Sequence, residues 1–132
     1  MASTHYKRRW QWLAALIWAI VLLVASTLPK GNLPKLNFWS DIVSPDKAAH
    51  ALFYGVFAVL LFLLLRPMTK RAMLWAFALA TGYGAGMEFL QAWMGKGRAF
   101  ELADMLANGL GALLAVVLLH YFYVSKKIKR ES

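Results

Sequence analysis

A chain of 132 residues that is 61% hydrophobic, lacks cysteine and carries a formal net charge of +9 excludes several classes at once. Soluble domains are closer to half apolar, the absence of thiols removes disulfides, thiolate ligands and cysteine nucleophiles, and the length allows one domain, residues 1–132. The positive charge looks like a nucleic-acid signal, but the basic residues flank apolar blocks, so no nucleic-acid partner is expected.

The first apolar block, about residues 10–28, follows Lys7, Arg8 and Arg9. A cleaved leader competes with a retained anchor here. The block is long, rich in tryptophan and without a clean small-x-small cleavage site, which favours the anchor. Residues 29–44 contain Pro29, Gly31 and Pro34 beside Leu36, Phe38 and Trp39. That mixture suits a segment at headgroup level, where tryptophan concentrates, or a plain loop. The second helix, about 46–65, has a strong start: Ser44 as N-cap, Pro45 at the first helical position and Asp46 in the first turn. A basic turn, Arg66 to Arg71, leads to the third helix, about 73–94, where Gly82 and Gly86 match the G-x-x-x-G pattern of close helix contact. A short loop at 95–100 precedes the fourth helix, about 102–124, and a basic tail begins at Lys126. Each block approaches the ~20 residues that span a bilayer core. The expected fold is an all-α integral membrane four-helix bundle. The tryptophans at 10, 12, 18, 39, 75 and 93 read as membrane anchors.

Lys7, Arg8, Arg9, Arg66, Lys70, Arg71 and the tail fall on one side of such a bundle, and the acids other than Glu131 fall on the other. The positive-inside rule then places both termini in the cytoplasm and the chain in the cytoplasmic (inner) membrane as a multi-pass protein.

Ionisable groups near hydrocarbon are costly unless paired or wetted, so their placement is informative. Asp46, His50 and Tyr54 recur at i, i+4, i+8 on one helix face, with Lys47 alongside. Glu88 and Gln91 share a face of the third helix, and Glu101, Asp104 and Asn108 follow at i, i+3, i+7. Arg98 lies in the loop between. All belong at one end of the bundle, with Glu88 about 9 Å inside its helix end. Each has a plain structural reading. Asp46, Glu101 and Asp104 suit helix first turns, Lys47 snorkels, Tyr54 packs, and Gln91 and Asn108 bridge helices. Gly109 and Gly111 permit close packing. Glu88 is hardest to explain this way, its structural role being a buried pair with Arg98 or Lys47. His5 and His120 lie at the other end.

The combined pattern Asp46-Lys47-x-x-His50-x-x-x-Tyr54, Glu88-x-x-Gln91 and Arg98-x-x-Glu101-x-x-Asp104-x-x-x-Asn108-Gly109-x-Gly111 resembles the VanZ-like membrane proteins over about residues 44–120. That family is named for a protein linked to low-level teicoplanin resistance. The resemblance implies a small bacterial envelope protein with these residues as its site, and a link to glycopeptide susceptibility.

Three chemistries use the same groups. As a binding protein, the cluster would hold a membrane lipid or lipid-linked envelope intermediate, with Lys47 and Arg98 on its anionic head. As an enzyme, the candidate catalytic residues are His50, Glu88 and Asp104, with His50 and Glu88 as acid and base. As a structural protein, the cluster only locks the bundle. A metal variant would take His50, Glu88, Glu101 and Asp104 as N/O ligands. No compact H-E-x-x-H motif is present, so no metal and no cofactor are expected. G-x-S-x-G and P-loop motifs are also lacking. Four helices leave little room for alternating access without self-association, which the pattern leaves open as a homo-oligomer.

Overall fold

The computed structural model describes the backbone of residues 2–27, 45–95 and 100–131, and the side chains of 8–27, 45–95, 100–123 and 125–126. The described residues form four helices, α1 (Ala2–Thr27), α2 (Pro45–Leu65), α3 (Ala72–Met94) and α4 (Leu102–Glu131). The fold is all-α, as the apolar blocks and turn signals imply. The Ser44 cap, the 29–44 connector and Trp39 lie outside the described residues. α1 begins well before Trp10 and α4 runs past Val124. Hydropathy marks where the apolar stretch ends, whereas good helix formers such as lysine and arginine carry the backbone ladder further. Gly95, at φ 62°, takes the left-handed conformation that closes α3.

Three stretches are long and apolar enough to cross a membrane: Arg8–Thr27, Pro45–Leu65 and Leu102–Tyr123. α3 is not among them, so of the four apolar blocks near spanning length, three are apolar enough by hydropathy to cross. Its 23 residues give a length of about 34 Å, enough to span, but its inner face lowers the hydropathy. That face reads Ala72, Ala76, Ala80, Gly84, Glu88, Gln91, all buried. The outer face presents Leu74, Trp75, Leu79, Phe89 and Trp93, all exposed. Small residues on the inner stripe let backbones approach closely.

α2 is the hub. It packs against α1, α3 and α4, and α1 touches α2 and α3. Leu22, Phe57, Ala58, Leu61, Phe62, Ala76, Ala80 and Ala112 form the centre of the core. α1 is also tied by two side-chain bonds to carbonyls: Trp18 Nε1 donates to Phe53 O at 3.0 Å, and the Tyr83 hydroxyl donates to Ala19 O at 2.7 Å. Trp18 therefore joins helices, while Trp12, Trp75 and Trp93 are exposed as anchors would be. Outward-facing Leu16, Ile17, Ile20, Leu52, Leu110, Leu114, Val117 and Leu118 make an apolar surface that belongs in lipid.

The close helix contact is elsewhere than at Gly82 and Gly86. Both are exposed, and a Cβ added at either meets nothing within 4 Å. Gly111 is the tight point, because a Cβ there would run into the backbone of Ala51. The α2–α4 crossing is thus set by Ala51, Gly55 and Gly111.

Candidate functional site

The up-and-down course brings the start of α2, the last third of α3 and the start of α4 to one end of the bundle. The exposed basic side chains Arg8, Arg9, Arg66, Lys70, Arg71 and Lys126 lie at the opposite end. At the polar end His50 is the hub. Its Nδ1 lies 3.0 Å from Asn108 Oδ1. The amide oxygen can only accept, so Nδ1 carries the proton in that bond. Nε2 then faces Asp46 Oδ1 at 3.9 Å and Asp104 Oδ2 at 3.8 Å. The other Asp104 oxygen, Oδ1, lies 3.8 Å from Lys47 Nζ. Tyr54, one turn further along α2, lies nearly parallel to the imidazole, with centroids 6.5 Å apart and planes 8° from parallel. Ser26, near the end of α1, is buried close to the Tyr54 hydroxyl.

Gly84 makes room for this arrangement. A Cβ there would sit 2.9 Å from Asn108 Nδ2 and 3.0 Å from Tyr54 Cε1. Asn108, at 0% exposure, and Glu88, at 1%, are the largest fully buried side chains. Glu88 lies where the charges of Asp104, His50 and Glu101 reach it. Gln91 is buried one turn further along the same face.

The cluster does not satisfy itself. Among the described residues, Gln91 Nε2, Asp104 Oδ1, Asn108 Nδ2 and Thr81 Oγ1 are buried without a hydrogen-bond partner, and neither Glu88 carboxylate oxygen closes a bond of good geometry, although the Glu101 backbone N–H lies toward that carboxylate. Buried polar atoms in folded proteins are overwhelmingly paired. Here acceptors and donors stand open together at one end of the bundle.

His50 thus meets Asp46, Asp104 and Asn108, Lys47 reaches Asp104, Tyr54 lies against His50, and Glu88 is within their electrostatic range. Glu101 is half-buried at the start of α4, where its carbonyl accepts from the N–H of Asp104 at 3.0 Å and of Met105 at 3.2 Å. Arg98 falls outside the described residues. Thr81 and Ser26 carry no signal in the sequence, and Gly84 stands there among the glycines of α3 without an assigned role. Gly84 had a usable signal in the four-residue rhythm from Ala72 to Glu88. The grouping of possible metal ligands also differs. Asp46, His50 and Asp104 each offer an atom within 4.8 Å of the others, so Asp46 takes the place that spacing alone gave to Glu88 and Glu101. Beside the cluster, an apolar groove of about 450 Å³ runs between α2 and α4, lined by Ala51, Gly55, Val59, Gly111, Leu114 and Leu118 among others. It starts beside His50 and one turn from Asn108.

No match was found among curated proteins or among solved structures. The family model described as VanZ/LLP1 matches residues 10–123, which includes the apolar part of α1 as well as the polar cluster. The chain belongs to the VanZ/LLP1 family of membrane proteins.

Proposed function

We propose that this protein binds an anionic lipid or lipid-linked envelope component, its polar head in the cluster and its hydrocarbon in the α2–α4 groove. The observation that carries this reading is the set of open buried atoms, donors for a phosphate on Gln91 and Asn108 and acceptors for a head's hydroxyl or ammonium protons on Glu88 and Asp104, at the end of the bundle where an apolar groove begins at Ala51, next to His50 in α2. A polar lock between helices would close its own hydrogen bonds, since an unmade buried bond costs about 1–3 kcal/mol. A ligand with a polar head and an apolar tail matches both halves of the site. Lys47 supplies a cation at its edge, and Arg98, between α3 and α4 in the sequence, is the second candidate cation. Holding an envelope lipid at the outer leaflet would change what a glycopeptide meets there, which is how a susceptibility phenotype would arise.

The test is mass spectrometry of lipid retained by protein purified in mild detergent. We expect one anionic lipid class enriched over the bulk membrane, falling at least tenfold in His50→Ala and in Asn108→Leu. Bulk lipid composition on the wild type, unchanged in both variants, would end this reading. A second reading, acid–base catalysis on the same lipid, is favoured by the way Asn108 orients the imidazole between two carboxylates. A variant that keeps the lipid but loses its turnover would select it.

In this proposal α3 crosses the bilayer as a fourth span, with its outer face in lipid and its polar stripe shielded by α2 and α4. Both termini are cytoplasmic and the cluster opens outward. Cysteine at Gly97 should react with an impermeant reagent in intact cells, and cysteine at Ser132 should not. Labelling of Ser132→Cys alone would invert the orientation.

A further inference from the structure

We propose that Asp46, His50 and Asp104 form a binding site for a divalent transition-metal cation, with zinc the first candidate. The inference rests on the headgroup reading for what the ion does, but not for where it binds. Three observations converge. Asp46 Oδ1 and Asp104 Oδ2 stand 3.9 and 3.8 Å from His50 Nε2. A tetrahedral ion with bonds near 2.1 Å holds its ligands ~3.4 Å apart, so small side-chain shifts close the site. The His50 Nδ1 bond to Asn108 Oδ1, at 3.0 Å, fixes the ring and turns Nε2 toward the two carboxylates, where a metal ion would take the place of a proton. Metal-bound histidines are characteristically held this way, through the other ring nitrogen. Independently, Glu88, 1% exposed and with no closed hydrogen bond beyond the Glu101 backbone N–H that lies toward it, sits where the charges of Asp104 and His50 act on it. A buried carboxylate beside two others is what a cation would stabilise, and one would be expensive to keep without it.

The donor set selects the ion. One imidazole and carboxylates, with no thiolate, suit Zn²⁺ or Mn²⁺ better than a soft ion. The same charge balance explains the ion's use. Asp46, Glu88, Glu101 and Asp104 gather around the site, and Lys47 is the one lysine or arginine among the described residues there. An anionic head entering such a cluster needs a counter-charge, and an ion held by Asp46, His50 and Asp104 would present its open coordination position to a phosphate oxygen. The remaining Asp104 oxygen stays toward Lys47, 3.8 Å away.

The test uses full-length protein in lipid-free detergent, stripped with chelator and titrated with Zn²⁺ alone, by calorimetry and by zinc K-edge absorption. We expect one ion per chain, an edge spectrum with one imidazole nitrogen and otherwise oxygen ligands, and at least a tenfold weakening in Asp46→Asn and in His50→Gln. Asn108→Leu, which removes the orienting bond, should weaken binding by about 10–100-fold. Lys126→Gln, at the far end, should match the wild type. Melting of each variant without metal shows whether it is folded, and the edge spectrum reads the wild type alone, so a misfolded variant does not decide the matter. No uptake by the wild type, uptake that persists in the Asp46→Asn/His50→Gln double variant, or a spectrum without imidazole would each overturn the site. Lipid is scored separately in chelator. Zinc binding without any selective lipid would sink the headgroup reading and leave the ion site standing. Selective lipid without zinc would do the reverse.

Discussion

Glu88→Gln should leave the protein at least as stable as the wild type while abolishing selective lipid retention. The amide keeps the shape of the side chain, can still accept from the Glu101 backbone N–H, and removes a carboxylate that is 1% exposed with no side-chain hydrogen-bond partner among the described residues. A neutral amide is cheaper to bury than a carboxylate, and functional sites commonly trade stability for activity in this way. The lock reading makes the opposite prediction. Removing one partner of a buried pair costs on the order of 3–5 kcal/mol, which for a chain of this size lowers the melting temperature by roughly 10–20 °C. Thermal melting in detergent beside lipid retention separates the two. An unchanged or raised melting point with lost lipid fits a site, and a collapse of both fits a lock.

Gly111→Ala should be among the most damaging conservative substitutions in the chain. Alanine ordinarily favours a helix over glycine by about 1 kcal/mol. At Gly111 the added methyl would strike the backbone of Ala51, and no rotamer change relieves a clash with backbone. The α2–α4 crossing must open, and overpacking of this kind costs about 1–3 kcal/mol or more. A backbone clash belongs at the upper end of that range, so after the propensity gain we expect a net loss of about 2 kcal/mol, with reduced lipid retention, because the same crossing frames the groove and the contact between His50 and Asn108. Gly82→Ala and Gly86→Ala have open space at the added methyl and should be neutral or stabilising. Thermal unfolding of the three variants in one detergent checks the ordering. A Gly86→Ala loss equal to that of Gly111→Ala would contradict the packing described here.

These two residues show what sequence can and cannot carry. Helix positions were legible because α2, α3 and α4 are bounded by local signals: a proline start, a basic turn, a left-handed glycine. Spacing alone put Asp46, His50 and Tyr54 on one face, since that depends only on helix geometry. The tight glycine was not legible. G-x-x-x-G describes Gly82 and Gly86, yet which stripe of α3 faces inward depends on its neighbours, and the structure turns Ala80 and Gly84 inward instead. The partners of His50 were hidden for the same reason. Asn108 and Asp104 lie over fifty positions away, and only the α2–α4 crossing brings them to opposite nitrogens of one ring. The apolarity of α3 was overread, because its buried stripe of small and polar residues does not depend on being greasy to sit in a membrane.

The central claim is that the open polar atoms beside the α2–α4 groove form a ligand site. An experimental structure of the protein purified from its own membrane in mild detergent tests it most directly. We expect density for a phosphate-bearing head in reach of Lys47, Gln91 and Asn108, continuous with a hydrocarbon chain along Gly55, Gly111 and Leu118. Glu88, Gln91, Asp104 and Asn108 bonded to one another in a closed cluster, with the groove collapsed, would contradict it.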